Sequence, residues 1–141
     1  MASNKVYLAI DLGASSGRVM AGIYDGKTLA LEELHRFPNP GHPVHDNCYW
    51  DILALFAEIK AGLAKAAQKH GRSLVSAGVD TWGVDYAFLD KRGELLGLPH
   101  QYRDPRTTGM EAAACRRMPR RAIYEITGIQ FMFFNTLLQV V

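Results

Sequence analysis

The stretch Val6-Tyr7-Leu8-Ala9-Ile10-Asp11-Leu12-Gly13-Ala14-Ser15-Ser16-Gly17-Arg18 decides how the rest of the chain is read. Residues 5–11 alternate and then run apolar, which predicts a buried strand ending at Asp11. The small residues that follow let a backbone pass close to a ligand, a property shared by several chemistries. Gly13-Ala14-Ser15-Ser16-Gly17 matches G-x-S-x-G, the nucleophile elbow, with Ser15 as the nucleophile, but the elbow requires a helix directly after the serine. Arg18–Tyr24 reads instead as a second strand, closed by the turn pair Asp25-Gly26. The loop also lacks the G-K-[ST] of a Walker A motif and the G-x-G-x-x-G of a dinucleotide fold. A tight loop joining two antiparallel strands fits better. Its backbone N–H groups and serine hydroxyls surround phosphate oxygens, Asp11 stands beside a hydrated Mg²⁺, and Arg18 adds charge on the transferring phosphate. A plain hairpin turn, with Asp11 and Ser15 in local hydrogen bonds, remains open as the alternative.

Working outward, Thr28–Phe37 predicts a third strand, and residues 38–47, rich in Pro, Asn and His, a loop. Asp51 is placed to cap a helix running to about Lys69 with Ile52, Phe56, Ile59 and Leu63 as its buried stripe, and Gly71 stops it. Leu74–Asp80 predicts another buried strand, Val84–Leu89 one more, turning at Lys91-Arg92-Gly93. Thr107–Met118 and Arg120–Thr127 predict helices separated by Pro119, and Asn135 is placed to cap a last apolar helix. No repeat, low-complexity tract or linker interrupts the chain, so one α/β unit is expected.

Bulk properties exclude several classes. With 141 residues, 48% hydrophobic and 21% charged, the composition is that of a globular domain with a real core. A net charge of +2, with one basic cluster at Arg116-Arg117 and Arg120-Arg121, leaves no long footprint for nucleic acid or anionic lipid, and the cluster reads as a solvated helix face. No apolar run approaches the roughly 18 residues of a membrane span, so no membrane partner and a cytoplasmic location are expected. Cys48 and Cys115 form no CxxC pattern and are expected as reduced thiols. His42, His45 and Cys48, three residues apart in a Pro-rich loop, lack a fourth ligand for a metal site.

A second carboxylate strengthens the phosphate reading. Asp80 ends its strand as Asp11 does, and ligands of open α/β sheets gather at that edge. In Gly78-Val79-Asp80-Thr81-Trp82-Gly83-Val84-Asp85, Trp82 offers a flat wall, Gly83 permits close approach and the carboxylates suit the hydroxyls of a polyol. Core packing for Trp82 and a solvent-facing place for Asp85 are equally open.

DLGASSGR, GVDTWGVDY, GLPHQYRDPRT and TGIQFMFFNT, in this order and spacing, resemble the N-terminal region of the FGGY carbohydrate kinase family. Asp80–Asp85 with Gln101-Tyr102-Arg103-Asp104 resemble its rhamnulose-phosphorylating branch in particular. Pro105, Phe133 and Leu138-Gln139-Val140 depart from the family pattern, and none of them touches the phosphate loop. The resemblance implies an α/β, ribonuclease-H-like fold of the actin/hexokinase superfamily, a mixed sheet with helices, in which residues 1–141 form an incomplete N-terminal domain. It implies ATP- and Mg²⁺-dependent phosphorylation of L-rhamnulose at its primary hydroxyl. Carried over by motif, Ala14, Ser15, Ser16, Gly17 and Arg18 contact the ATP phosphates, Asp11 orients the metal's water, and Gly83 contacts the sugar. Asp80, Trp82, Asp85, Tyr102 and Arg103 complete the candidates for the sugar cleft, although an Arg103–carboxylate pair holding a turn serves equally well for the last two. The general base and the adenosine pocket are expected beyond residue 141, so this chain alone is expected to be inactive. A non-catalytic sugar- or nucleotide-binding domain and a Ser15 hydrolase are the rival readings.

Overall fold

The computed structural model describes residues 4–141. Its core element is β1 (Lys5–Leu12), whose side chains alternate between exposed and buried from Lys5 to Ile10. A two-residue period with one covered face is the signature of a half-buried strand, so the predicted strand is buried on one face. β2 (Ser16–Tyr24) runs antiparallel to β1, so the connecting loop is no more than Gly13-Ala14-Ser15. β3 (Leu29–Pro38) continues the meander after the turn at Asp25-Gly26, where the Asp25 carboxylate accepts from the N–H groups of Lys27 and Thr28 and from the Thr28 hydroxyl.

The chain then crosses through helix α1 (Ile52–His70) to β6 (Leu74–Thr81), which pairs parallel to β1. The sheet order is β3-β2-β1-β6, mixed as expected. Asp51 caps α1, its Oδ1 accepting from Ala54 N–H at 2.9 Å, and Gly71 ends it at a φ of 48°. The predicted stripe of α1 holds in part: Ile52, Ile59 and Leu63 are half-buried, with Leu63 packed against the core, but the deepest positions lie beside it. Leu55, Gly62 and Ala66 are buried, whereas Phe56 is 59% exposed under the Lys60 ammonium. The cause is close approach: a Cβ on Gly62 would collide with Val19, so small residues let the helix settle against Val6, Leu8 and Ala21 of the sheet. β6 corrects a second expectation. It pairs with β1 alone among the described residues, and past half-buried Leu74 its apolar side chains are exposed, Val79 at 63%.

Contacts divide the chain into two compact units: the described residues up to Pro40 with Asp51–Gly83, and Gly41–Trp50 with Val84–Val141. The second is built from short pieces. Part of the predicted loop over 38–47 is a hairpin, β4 (His42–Val44) and β5 (Asn47–Tyr49), turning through His45 at a φ of 53°. The predicted strand Val84–Leu89 is not one. Val84 takes a left-handed φ of 70°, rare for a β-branched residue, and regular pairing is limited to a bridge between Leu89 and Leu95 around the Asp90–Gly93 turn. Pro105–Thr107 form one turn of 3₁₀ helix, after which α2 (Met110–Arg117) starts three residues later than predicted, from Gly109 at a φ of 80°. α3 (Arg120–Thr127) follows Pro119 and ends at Gly128. α4 (Thr136–Val140) begins after Asn135, whose side chain donates to the Gln130 carbonyl instead of capping the helix. Among the described residues no helix is long and apolar enough to cross a membrane.

Candidate functional site

Register builds the first half of the site. Asp11 is the cross-strand partner of both Arg18 and Asp80, and Arg18 is the partner of Arg36. Paired residues of neighbouring strands share a face, so Asp80, Asp11, Arg18 and Arg36 form a transverse row on the face opposite α1, two acids beside two bases. The Arg18 guanidinium holds Asp11 Oδ2 through Nε at 2.7 Å and a terminal nitrogen at 2.6 Å. Arg36 donates to Glu33, and this hydrogen bond, then the charges of Glu33 and Asp11, raises the Arg36 pKa, while the same contact lowers that of Glu33. Asp11, Gly13, Ala14, Ser15, Ser16, Arg18 and Arg36 line one open, mostly polar cleft of about 270 Å³.

The loop itself is strapped from outside. Gly13 N–H donates to the Ser16 carbonyl at 3.0 Å, while Asn39, just past β3, donates from Nδ2 to the Gly13 carbonyl at 2.8 Å and from its backbone N–H to the Ser15 carbonyl at 2.9 Å. Gly17 is buried, and a Cβ there would enter the Phe37 ring. Ser15 is followed by strand β2 and not by a helix, which removes the frame a nucleophile elbow needs. Arg36 and Asn39 were not legible as site residues. The only signal was the pairing of β2 with β3, a register that one strand's own pattern does not contain.

The sugar-cleft candidates fall in both units. Asp80, Trp82 and Gly83 close the first, with Asp80 at the end of β6 beside Asp11. In the second, Asp85 Oδ2 accepts from Trp50 Nε1 at 2.5 Å. Tyr102 meets Trp50 at a tilt of 45°, ring centroids 6.4 Å apart, and Phe134 edge-on at 5.5 Å, and the Arg103 guanidinium lies 4.8 Å over the Tyr102 ring. Asp85, Tyr102 and Arg103 are thus drawn to one aromatic cluster, which Trp50, outside every quoted motif, and Phe134, inside TGIQFMFFNT but not named as a site residue, complete. The carboxylate of the turn belongs to another pair: Asp104, 1% exposed, accepts from Cys48 N–H at 2.6 Å and Arg106 N–H at 2.9 Å, and lies 3.9 Å from the Arg106 guanidinium. Burial, then the charge of Asp104, pushes the Cys48 thiol up, so Cys48 is a poor nucleophile. His42 and His45 lie exposed on the hairpin, and no group of three metal-ligating side chains gathers among the described residues. Arg116, Arg117, Arg120 and Arg121 are exposed, the last two paired with Glu111 and Glu125.

The chain is 47% identical over 134 residues to the rhamnulokinase of Bacteroides thetaiotaomicron, an alignment covering 95% of this chain and 27% of that protein. The fold is similar to that of the gluconate kinase of Lactobacillus acidophilus, with a TM-score of 0.80 at 17% identity over 97% of this chain and 27% of the other. It is also similar to the glycerol kinase of Plasmodium falciparum solved with ADP, with a TM-score of 0.64 at 15% identity over 97% and 28% of the two chains. The chain therefore spans about a quarter of the length of these relatives, and its mixed sheet has the architecture of carbohydrate kinases. The model of the N-terminal domain of the FGGY family of carbohydrate kinases matches residues 6–141, and with only the first five residues outside that match the chain belongs to this family.

Proposed function

We propose that the full-length protein is a cytoplasmic, ATP- and Mg²⁺-dependent sugar kinase that phosphorylates L-rhamnulose to L-rhamnulose 1-phosphate. In this reading residues 1–141, the N-terminal part of the enzyme, supply the phosphate loop and part of the sugar-binding surface. The observation that carries the reading is the convergence of Asp11, the Gly13–Ser16 loop, Arg18 and Arg36 on one cleft. Two serine hydroxyls, two guanidinium groups and backbone N–H groups suit a polyphosphate, and a carboxylate at the strand end suits a hydrated hard cation. Ala14, Ser15, Ser16, Gly17 and Arg18 hold the phosphates; Arg18 exchanges Asp11 for a phosphate oxygen, which frees the Asp11 carboxylate toward the cation. Bound Mg²⁺ neutralises charge on the phosphoryl oxygens.

Identity of 47% with a rhamnulokinase supports the choice of sugar. The candidates for sugar contact are Asp80, Trp82 and Gly83 in the first unit and, in the second, Asp85 with Tyr102 and the Arg103 guanidinium over its ring. Transfer to a hydroxyl needs a carboxylate that accepts its proton. That base is expected outside residues 1–141, so the chain alone is expected to show no turnover. ADP release by the full-length gene product, with ATP, Mg²⁺ and a panel of ketoses, tests the proposal. Release that is fastest with L-rhamnulose is expected; equal rates for all ketoses overturn the substrate, no release with any overturns the kinase, and turnover by residues 1–141 overturns the division of labour.

A further inference from the structure

We propose that Asn39 is the positioning residue of the phosphate loop, turning two of its peptide planes so that the N–H groups of Ala14 and Ser16 face a bound polyphosphate. The proposal rests on the phosphate reading above. Asn39 is 4% exposed and does not line the cleft. It reaches the loop twice, from Nδ2 to the Gly13 carbonyl at 2.8 Å and from its backbone N–H to the Ser15 carbonyl at 2.9 Å. In a trans peptide the carbonyl and the N–H of the next residue point in opposite directions. Drawing the carbonyls of Gly13 and Ser15 toward buried Asn39 therefore drives the N–H groups of Ala14 and Ser16 away from it. Two such N–H groups, beside the Ser15 and Ser16 hydroxyls and Arg18, make a concavity for anionic oxygens. The strap is also stiff. Pro38 and Pro40 fix their own φ angles, and each proline restricts the residue before it, so Asn39 arrives with little freedom left to lose.

The test uses the full-length protein with Asn39→Asp, which keeps the size and the backbone N–H but sets an acceptor against the Gly13 carbonyl, and with Asn39→Ala, which deletes the side-chain bond alone. Affinities for inorganic tripolyphosphate, ATP, AMP and L-rhamnulose are measured for each. The expected result is a loss of about tenfold for tripolyphosphate and ATP, with L-rhamnulose and AMP unchanged. Unchanged ATP affinity in both variants overturns the role of Asn39 while leaving the phosphate loop intact. An equal loss for all four ligands assigns Asn39 to general stability and overturns it too. Failure of the wild type to bind tripolyphosphate or ATP overturns the phosphate reading itself. Should neither variant fold, amide chemical shifts of the wild type decide: tripolyphosphate is expected to move the Ala14 and Ser16 N–H signals most, and no movement at these two overturns the proposal.

Discussion

Gly17 shows that a small residue in a ligand loop need not be small for the ligand. Its Cα is covered by the Phe37 ring of the neighbouring strand, which leaves no room for a methyl group. The loop was legible as a loop because its residues are small and contiguous; the reason for this glycine was not, because Phe37 lies on another strand. Asp104 is the same lesson in the second unit. It accepts from Cys48, 56 residues away, a relation no local pattern encodes. Asp104→Ala would leave the N–H groups of the half-buried Cys48 and Arg106 without their acceptor, and a loss of about 3 kcal/mol of unfolding free energy is expected. Denaturant unfolding of the full-length protein measures it; a loss within 0.5 kcal/mol, roughly the scatter of surface substitutions, contradicts the account of Asp104 as the pin between hairpin and turn.

At the scale of elements, what the sequence made legible were those stabilised by their own residues. β1, β2, β3, β6 and α1 follow from period, turn residues and caps within each segment, and Asp51 and Gly71 bound α1 as expected. Elements that depend on a distant partner were misread. The β4–β5 hairpin is held by Asp104 and by the Gln101 N–H bonded to the Cys48 carbonyl, and the run from Val84 to Leu89 lacks a strand partner long enough to make it one. The predicted stripe of α1 held at Ile52, Ile59 and Leu63, which are half-buried, and failed at Phe56; the deepest positions are Leu55, Gly62 and Ala66, because glycine and alanine let a helix approach a sheet. The β2–β3 turn carries a prediction of its own. Hydrogen bonds from the Thr28 backbone, the Thr28 hydroxyl and the Lys27 backbone lower the Asp25 pKa from 3.8 to about 2. A folded-state pKa below the unfolded one means that the carboxylate stabilises the fold above about pH 4, and that this contribution is lost as pH falls toward 2. The stability difference between wild type and Asp25→Ala is therefore expected to shrink across that window in acid titration of the unfolding midpoint; a difference that does not change with pH contradicts the turn's electrostatics.

For the whole molecule, the mixed sheet matched the expected architecture, and the parallel pairing of β1 with β6 sets Asp11 beside Asp80 near the ends of their strands. The division into two units was not legible, because the second is made of short helices, a hairpin and irregular backbone whose contacts are set by Asp104, Trp50 and Tyr102 and not by any period. The exposed apolar side chains of β6 show the same limit from the other side: a strand can read as buried while the described residues leave its face uncovered. The central claim is that DLGASSGR cradles phosphate on the row Asp80, Asp11, Arg18 and Arg36. A crystal structure of the full-length protein with a non-hydrolysable ATP analogue and Mg²⁺ tests it most directly. The account predicts phosphate oxygens within hydrogen-bond distance of the Ala14 and Ser16 N–H groups and of Arg18, with the Arg18–Asp11 pair opened; phosphates bound elsewhere, with that pair intact, would contradict it.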